Sequence, residues 1–183
     1  MAPPLQSGLT VAIFASDRGP GDPERASLMS EVGRLFARKG ARIQCLAEEG
    51  IIPVPLITAA RTAGGAVEVV ADASIVLPLA LSEVPITVLP DVTERRAYVA
   101  GSSVAFVALP GSLASVTSLF GVWSAGTTKP VVMLNRHRAY EVIRGFAADV
   151  LAASVANHDR NIQFADTVED LWTKVVWVNE QRR

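Results

Sequence analysis

The clearest structural signal in this chain is the stretch Ser103-Val104-Ala105-Phe106-Val107-Ala108-Leu109-Pro110-Gly111-Ser112. Residues 103–109 carry no charge and run straight into a Pro-Gly turn, which is typical of a strand buried on both faces of a sheet. Residues 113–124 then have the pattern of a helix. A buried strand followed at once by a helix is the repeating unit of a parallel sheet covered by helices.

The same alternation extends to both sides of this stretch. Further strands are predicted at residues 9–14, 41–46, 66–70, 130–134 and 162–165. Further helices are predicted at residues 23–39, 53–62, 139–156 and 167–179. We therefore predict an α/β fold, in which one Rossmann-like, doubly wound parallel sheet is flanked by helices. This single domain is expected over residues 9–180, after a flexible tail at residues 1–8.

Composition excludes several classes of protein. Half of the 183 residues are apolar, and 17 Lys and Arg nearly balance 18 Asp and Glu, so a nucleic-acid binder that relies on bulk positive charge is disfavoured. The uncharged apolar stretch at residues 73–82 is far shorter than a membrane span. A lone cysteine, Cys45, fits a reducing compartment. We expect a cytoplasmic protein with no nucleic-acid or membrane partner.

No metal or cofactor is predicted. The chain has no Cys-x-x-Cys pair, and its only histidines, His137 and His158, stand in different contexts and are expected at the surface. Cys45, at the end of a predicted strand, is expected to be a small buried residue rather than a reactive thiol.

In a doubly wound sheet, ligands bind beyond the carboxyl ends of the strands. The turn Gly111-Ser112 joins a buried strand to a helix, so free N–H groups, the hydroxyl of Ser112 and that of Ser115 meet at a helix N-terminus, which favours an anion. This is a candidate phosphate site. The alternative is that Ser112 or Ser115 simply caps its own helix.

A second candidate is the charged triplet Glu94-Arg95-Arg96, at the rim of the same sheet. Two adjacent guanidinium groups suit the recognition of phosphate or carboxylate, although a solvated charge cluster is the other interpretation. Neither a G-x-G-x-x-G fingerprint nor a P-loop is present, which counts against a standard dinucleotide site and a P-loop nucleotidase.

These elements resemble those of the LONELY GUY family of nucleoside 5′-monophosphate phosphoribohydrolases, often labelled lysine-decarboxylase-like, and the related molybdenum-cofactor carrier proteins. The resemblance covers residues 9–146. Phe14-Ala15-Ser16-Asp17 is similar to the family's first serine loop, Glu94-Arg95-Arg96 to its E-R-K motif, and residues 110–118 to its P-G-G-x-G-T-x-x-E motif. Lys129-Pro130-Val131 is similar to the K-P-V before the next strand.

The departures from the family motifs fall on its catalytic residues. The motif glutamate, which the resemblance implies works with an arginine equivalent to Arg95, is replaced by Ser118. A glycine-rich family loop corresponds to residues 45–51, where Glu48 and Glu49 stand instead. Like charge beside a phosphate is repulsive, and cleavage of an N-glycosidic bond through an oxocarbenium-like state needs a carboxylate.

Two hypotheses follow. In the first, the chain is a diverged member that binds a nucleotide-like or phosphorylated small ligand, or a partner protein, and lacks the standard activity. Its ligand-binding residues would be Ser16, Arg95, Arg96, Gly111, Ser112, Ser115 and Ser118. In the second, it is an active phosphoribohydrolase with a rebuilt site, in which Arg95 acts with Glu48 or Glu49. The resemblance also implies a homodimer.

Overall fold

A computed structural model describes residues 8–16, 23–124 and 129–183 of the chain. Seven strands form one sheet in the order β4-β3-β2-β1-β5-β6-β7, and every neighbouring pair is parallel. The predicted α/β fold is confirmed. The tail predicted at residues 1–8 lies, except for Gly8, outside the described residues, as does Asp22, which precedes the first helix.

The strands are short, as buried parallel strands commonly are. They are β1 Thr10–Phe14, β2 Arg42–Leu46, β3 Ala66–Ala71, β4 Ile86–Val88, β5 Ala105–Ala108, β6 Val131–Leu134 and β7 Ile162–Ala165. The helices are α1 Pro23–Arg38, α2 Val54–Thr62, α3 Val92–Ser102, α4 Leu113–Trp123, α5 Glu141–Phe146, α6 Ala152–Ser154, α7 His158–Asn161 and α8 Val168–Glu180.

Helices cover both faces of the sheet, and alternate residues of each strand belong to different cores. Val11 and Ile13 of β1 pack with α1, α2 and α8, whereas Ala12 and Phe14 pack with α3, α4 and α5. Because both faces are covered, β5 and β6 near the centre of the sheet are apolar throughout rather than alternating, whereas β2 and β3 also carry the polar residues Gln44 and Glu68. Cys45 is buried in the first core, as predicted, and this burial raises the pKa of its thiol to about 12.

The structure differs from the sequence-based expectation in two places. Strand β4 and helix α3 lie between residues 86 and 102, where the sequence signal is weak because β4 has only three residues and forms an edge. The single helix expected at residues 139–156 is instead α5, a π-helical turn at Ala147–Leu151 and α6, and the chain becomes extended at Val155. The apolar pattern of this segment does not distinguish α-helical from π-helical turns.

The strand order reverses direction between β1 and β5. From β1 the chain builds outward through β2, β3 and β4, and from β5 it builds the other way through β6 and β7. β1 is followed by α1 on one face of the sheet and β5 by α4 on the other face, and ligands of such sheets bind in the crevice at the carboxyl ends of the two strands. Ser16 and Gly111 lie at this point.

Candidate functional site

The N-terminus of α4 opens on the crevice between β1 and β5. Ser112 is the N-cap residue of α4, but its side chain accepts no hydrogen bond from the helix. Among the described residues its Oγ is buried without any hydrogen-bond partner, and the Ser115 hydroxyl donates to the Ser112 carbonyl oxygen at 2.9 Å. Ser112 therefore does not cap this helix, and its first-turn N–H groups receive no side-chain cap from it.

Three of the predicted ligand-binding residues come together beside this helix end. A β-carbon built on Gly111 would lie 3.0 Å from the Ser115 Oγ and 3.5 Å from the backbone nitrogen of Ser16. Ser16 and Ser115 are both buried. A side chain at position 111 would fill this space, so glycine keeps the backbone of the loop open to a close approach.

Glu48 is the centre of the polar contacts at this edge of the sheet. Its carboxylate accepts hydrogen bonds from Arg96, with Nε to Oε1 at 2.9 Å and Nη2 to Oε2 at 3.2 Å. The Ser118 hydroxyl donates to the same Oε2 at 2.7 Å. Ser118 occupies the position that matches the motif glutamate of the resembled family, so a carboxylate from the loop after β2 stands directly beside it.

The Glu48 carboxylate is held in its ionised form. Burial by itself raises the pKa of this group, but the hydrogen bonds from Arg96 and Ser118 and the charges of Arg96 and Arg95 outweigh it, and the pKa falls below its ordinary value. The hydrogen bond to Glu48 likewise raises the pKa of Arg96. The Arg96–Glu48 pair is therefore charged throughout the physiological range.

Arg96 reaches Glu48 by crossing α4 at a glycine. A β-carbon on Gly121 would lie 2.6 Å from Arg96 Cζ, so the guanidinium lies flat against the helix backbone there. A lone glycine within a helical pattern is the kind of signal that marks such a close approach. Sequence reasoning did not use it.

Arg95 points elsewhere. Its side chain is buried, and Nη1 donates at 2.7 Å to the carbonyl oxygens of Leu89 and Pro90, which follow β4. Its Nε is buried without a partner among the described residues. The contacts of Arg95 fix the turn that begins α3, while its charge still acts on Glu48.

Glu49, the other candidate acid, is exposed and lies at a left-handed backbone position with φ 55°. Glu48 and Ser118 line a small, partly open cavity of about 10 Å³ at the carboxyl ends of β1 and β2, which also contacts Ala114 and Ser115. That space holds about one water molecule. The structure thus places the Glu48 carboxylate beside Ser118 at the predicted site.

His137 and His158 do not form a metal site. His137 is exposed and its Nε2 lies 2.6 Å from Glu24 Oε1, while His158 is half-buried in α7. Within residues 8–16, 23–124 and 129–183, no three His, Cys, Asp or Glu side chains gather as a metal ion requires.

Comparison with known proteins gives a match in structure alone. No protein-family model matches the chain, and no curated protein matches it. The molybdenum cofactor carrier protein of Chlamydomonas reinhardtii superimposes with a TM-score of 0.68 at 19% identity, over 93% of this chain and 98% of that one. The chain has the fold of the molybdenum cofactor carrier proteins.

A second protein that is named for the molybdenum cofactor has the same fold. The molybdenum cofactor binding protein of the phototrophic bacterium Rippkaea orientalis gives a TM-score of 0.66 at 13% identity, over 94% of this chain and 98% of that one. The predicted resemblance to the carrier-like group is confirmed at the level of the fold.

The same fold also occurs in a protein that is named for a different role. DNA processing protein A of Streptococcus pneumoniae gives a TM-score of 0.59 at 12% identity, over 93% of this chain and 62% of that one. Shared fold does not fix function, so the activity of this chain has to be argued from its own side chains. None of the helices described here is long and apolar enough to cross a membrane.

Proposed function

We propose that this chain binds a small phosphorylated, nucleotide-like ligand at the crevice between β1 and β5, as a diverged relative of the phosphoribohydrolases. The observation that carries the proposal is the N-terminus of α4, whose N-cap hydroxyl, Ser112 Oγ, is buried and unpartnered among the described residues. Unsatisfied donors at the positive end of a helix dipole favour a phosphate group.

The side chains around this helix end support the same chemistry. Gly111 keeps the loop backbone accessible, and Ser16 and Ser115 lie beside it. The small cavity next to Glu48, of about 10 Å³, has room for about one water molecule, so the sugar and base of a nucleotide do not fit inside it. The phosphate would contact the α4 N-terminus while the rest of the ligand lies outside this cavity.

Loss of the standard activity is part of the proposal. The carboxylate of Glu48 is already engaged by Arg96 and Ser118, and Arg95 is engaged by two backbone carbonyl groups. A carboxylate neutralised by an ion pair is a weak stabiliser of a developing positive charge on a sugar ring. Binding without turnover is the expected behaviour.

Calorimetric titration of the wild-type chain and of Ser112→Asp tests the binding proposal. The probes are AMP, GMP and inorganic phosphate, with adenosine as the unphosphorylated control. Aspartate is a good N-cap, so the variant should fold, but its charge occupies the proposed phosphate site. We expect AMP to bind the wild type more tightly than adenosine does, and Ser112→Asp to weaken AMP at least tenfold.

Thr173→Asp is the matched control, because it adds the same charge at an exposed position of α8. It should bind AMP as the wild type does. The proposal fails if no phosphorylated probe binds the wild type, or if Ser112→Asp binds AMP unchanged. Molybdenum analysis of the purified protein adds a test of the ligand that the structural neighbours are named for.

A second candidate function is favoured by one contact, the 2.7 Å hydrogen bond between Ser118 and Glu48. It returns a carboxylate to the place where the resembled family carries its catalytic glutamate. In this alternative, Glu48 takes a proton from a water molecule that attacks the anomeric carbon, and the proton passes to the departing base nitrogen. The products are ribose 5-phosphate and the free base.

Release of free base from nucleoside 5′-monophosphates separates the two functions. Turnover by the wild type that falls at least a hundredfold in Glu48→Gln would establish the rebuilt enzyme. Binding of AMP with no release of base supports the diverged binder. Base release and thermal stability of Arg95→Ala, measured beside the wild type, show whether Arg95 contributes to turnover or only to folding.

We also propose that two copies of the chain associate through the outer face of α4. Leu113 is 81% exposed, and together with Val116, Phe120 and Trp123 it lines an open groove of about 650 Å³. Apolar surface of this kind on a folded protein often marks an association site. The homodimer is what the family resemblance implies.

A further inference from the structure

A basic turn follows β6 at the same edge of the sheet as the proposed phosphate site. It consists of Arg136, His137 and Arg138, and β6 is the direct neighbour of β5, whose exit leads to the α4 N-terminus. Neighbouring strands lie about 4.8 Å apart. The two exits are therefore close enough for one small ligand to contact both.

Hydrogen bonds tie this turn to the proposed site. Tyr140, just after the turn, is buried and its hydroxyl donates to the carbonyl oxygen of Leu109, two residues before Gly111. On the entry side, Asn135 accepts a hydrogen bond from the backbone nitrogen of Tyr140 at 2.7 Å. Asn135 and Tyr140 close the turn and fix it relative to the end of β5.

The turn adopts a backbone conformation that its residues disfavour. His137 has φ 54° and Arg138 has φ 61°, and two consecutive residues with side chains in the left-handed region are rare. Glycine is the residue that takes such positions without strain. Strain of this kind is characteristic of sites where a side chain is needed for function.

The three basic side chains of the turn differ in their polar contacts. His137 contacts Glu24 at the start of α1, and Arg136 lies 3.9 Å from Glu31. The side chain of Arg138 is exposed and makes no hydrogen bond or ion pair with any residue that the structure describes. Glu24 and Glu31 thus hold the turn against α1, and one guanidinium remains to meet an anion.

We propose that the turn Arg136–Arg138 is a second anion subsite, with Arg138 contacting a second phosphate group of the ligand. This inference rests on the proposed function, since it extends the same site from β5 to β6. The second phosphate could belong to a diphosphate chain or to a separate position on the sugar. A guanidinium group with its planar set of donors suits either one.

Titrations with AMP, ADP and adenosine 3′,5′-bisphosphate test the subsite. The wild type should bind ADP or adenosine 3′,5′-bisphosphate at least ten times more tightly than AMP. The probe that binds more tightly shows whether the second phosphate belongs to a diphosphate chain or to the sugar. Arg138→Gly should reduce that preference to less than threefold while leaving the affinity for AMP unchanged. Arg138→Lys keeps the charge and should retain most of the preference.

Arg138→Gly should also raise the thermal stability of the protein, whereas a variant that disrupts the fold would lower it. Because glycine relieves the strained φ, this variant should melt at a higher temperature than the wild type, so weaker binding cannot be attributed to unfolding. Arg160→Gln is the matched control, because it removes an exposed arginine from α7, which lies at the amino end of β7. It should leave the preference for a second phosphate unchanged.

The possible outcomes separate this inference from the proposed function. Binding of AMP with no gain from a second phosphate overturns the subsite and leaves the proposed function standing. A preference that persists in Arg138→Gly also overturns it. Absence of binding by every probe overturns both.

Discussion

At the scale of single residues, the chemistry of this edge centres on Glu48. One carboxylate joins three elements, because it accepts hydrogen bonds from Arg96 on α3 and from Ser118 on α4 while belonging to the loop after β2. The side chain of Glu48 is only 13% exposed and that of Arg96 30%, so this pair is screened less than a surface ion pair. It stabilises the packing of α3 and α4 at the crevice.

The Glu48→Gln variant should be less stable than the wild type by about 1–2 kcal/mol at pH 7, since it removes charge-assisted hydrogen bonds. The folded pKa of Glu48 is lowered, so its stabilising contribution is present above the unfolded pKa and is lost as the pH falls through the folded pKa. The stability gap should therefore close on acidification. Urea unfolding of both proteins between pH 7 and pH 3 measures it.

Glu83→Gln is the control for this series, because Glu83 is exposed and forms no hydrogen bond or ion pair with any residue that the structure describes. It should match the wild type within about 0.5 kcal/mol. A gap for Glu48→Gln that widens toward low pH would contradict the assignment of an ionised, hydrogen-bonded carboxylate.

At the scale of elements, the packing of α1 on α2 depends on one glycine. A β-carbon at Gly33 would lie 2.3 Å from the carbonyl oxygen of Leu56 and 3.3 Å from the backbone nitrogen of Ala60. Both of these atoms belong to the backbone of α2, which cannot rotate away as a side chain can. The two helices can approach this closely only because Gly33 has no side chain.

Gly33→Ala should destabilise the fold by about 2 kcal/mol, because the cost of separating two packed helices exceeds the gain in helix propensity. Thermal or urea unfolding measures the difference. Gly101→Ala is the matched control, since Gly101 lies in α3 with no atom within 4 Å of its β-carbon position. It should raise the stability by about 0.5–1 kcal/mol. Equal effects of the two substitutions would refute the close-approach argument.

At the scale of the whole molecule, the two faces of the sheet are covered differently. The face with α1, α2 and α8 buries a continuous core, whereas α4 on the other face leaves Leu113 and the groove beside it exposed to solvent. The ring centroids of Phe120 and Trp123 lie 5.9 Å apart in this groove. A second copy of the chain would remove this apolar surface from water.

Light scattering coupled to size exclusion should give the wild type a mass near twice the 19.4 kDa of one chain. Leu113→Glu should shift it toward the monomer, because a charge would be buried at the contact, while glutamate remains a good residue for the first turn of a helix. Leu79→Glu changes an equally exposed leucine outside this groove and should leave the mass unchanged. A monomeric wild type would rule out the proposed dimer.

The architecture was predictable from the sequence because it depends on local patterns. Uncharged runs such as residues 103–109, each followed by a turn and a helical pattern, lead to a parallel sheet whose carboxyl edge carries the loops. The same patterns predicted a ligand site at Gly111, Ser112 and Ser115, and the family resemblance added Ser16; the structure brings these residues together. Strand β4 escaped prediction because three residues at a sheet edge carry too short a pattern.

Contacts between residues distant in sequence were decided only by the tertiary structure. Sequence reasoning left Glu48 and Glu49 as equal candidates, and the structure places the Glu48 carboxylate 2.7 Å from the hydroxyl of Ser118, seventy positions away. Arg95 and Arg96 are adjacent in the chain, yet successive residues of a helix face different directions, so one binds backbone carbonyl groups and the other Glu48. The strained turn at His137 and Arg138 contains no glycine from which the sequence could have predicted it. Its conformation is set by the hydrogen bonds that Asn135, Tyr140 and Glu24 make around it.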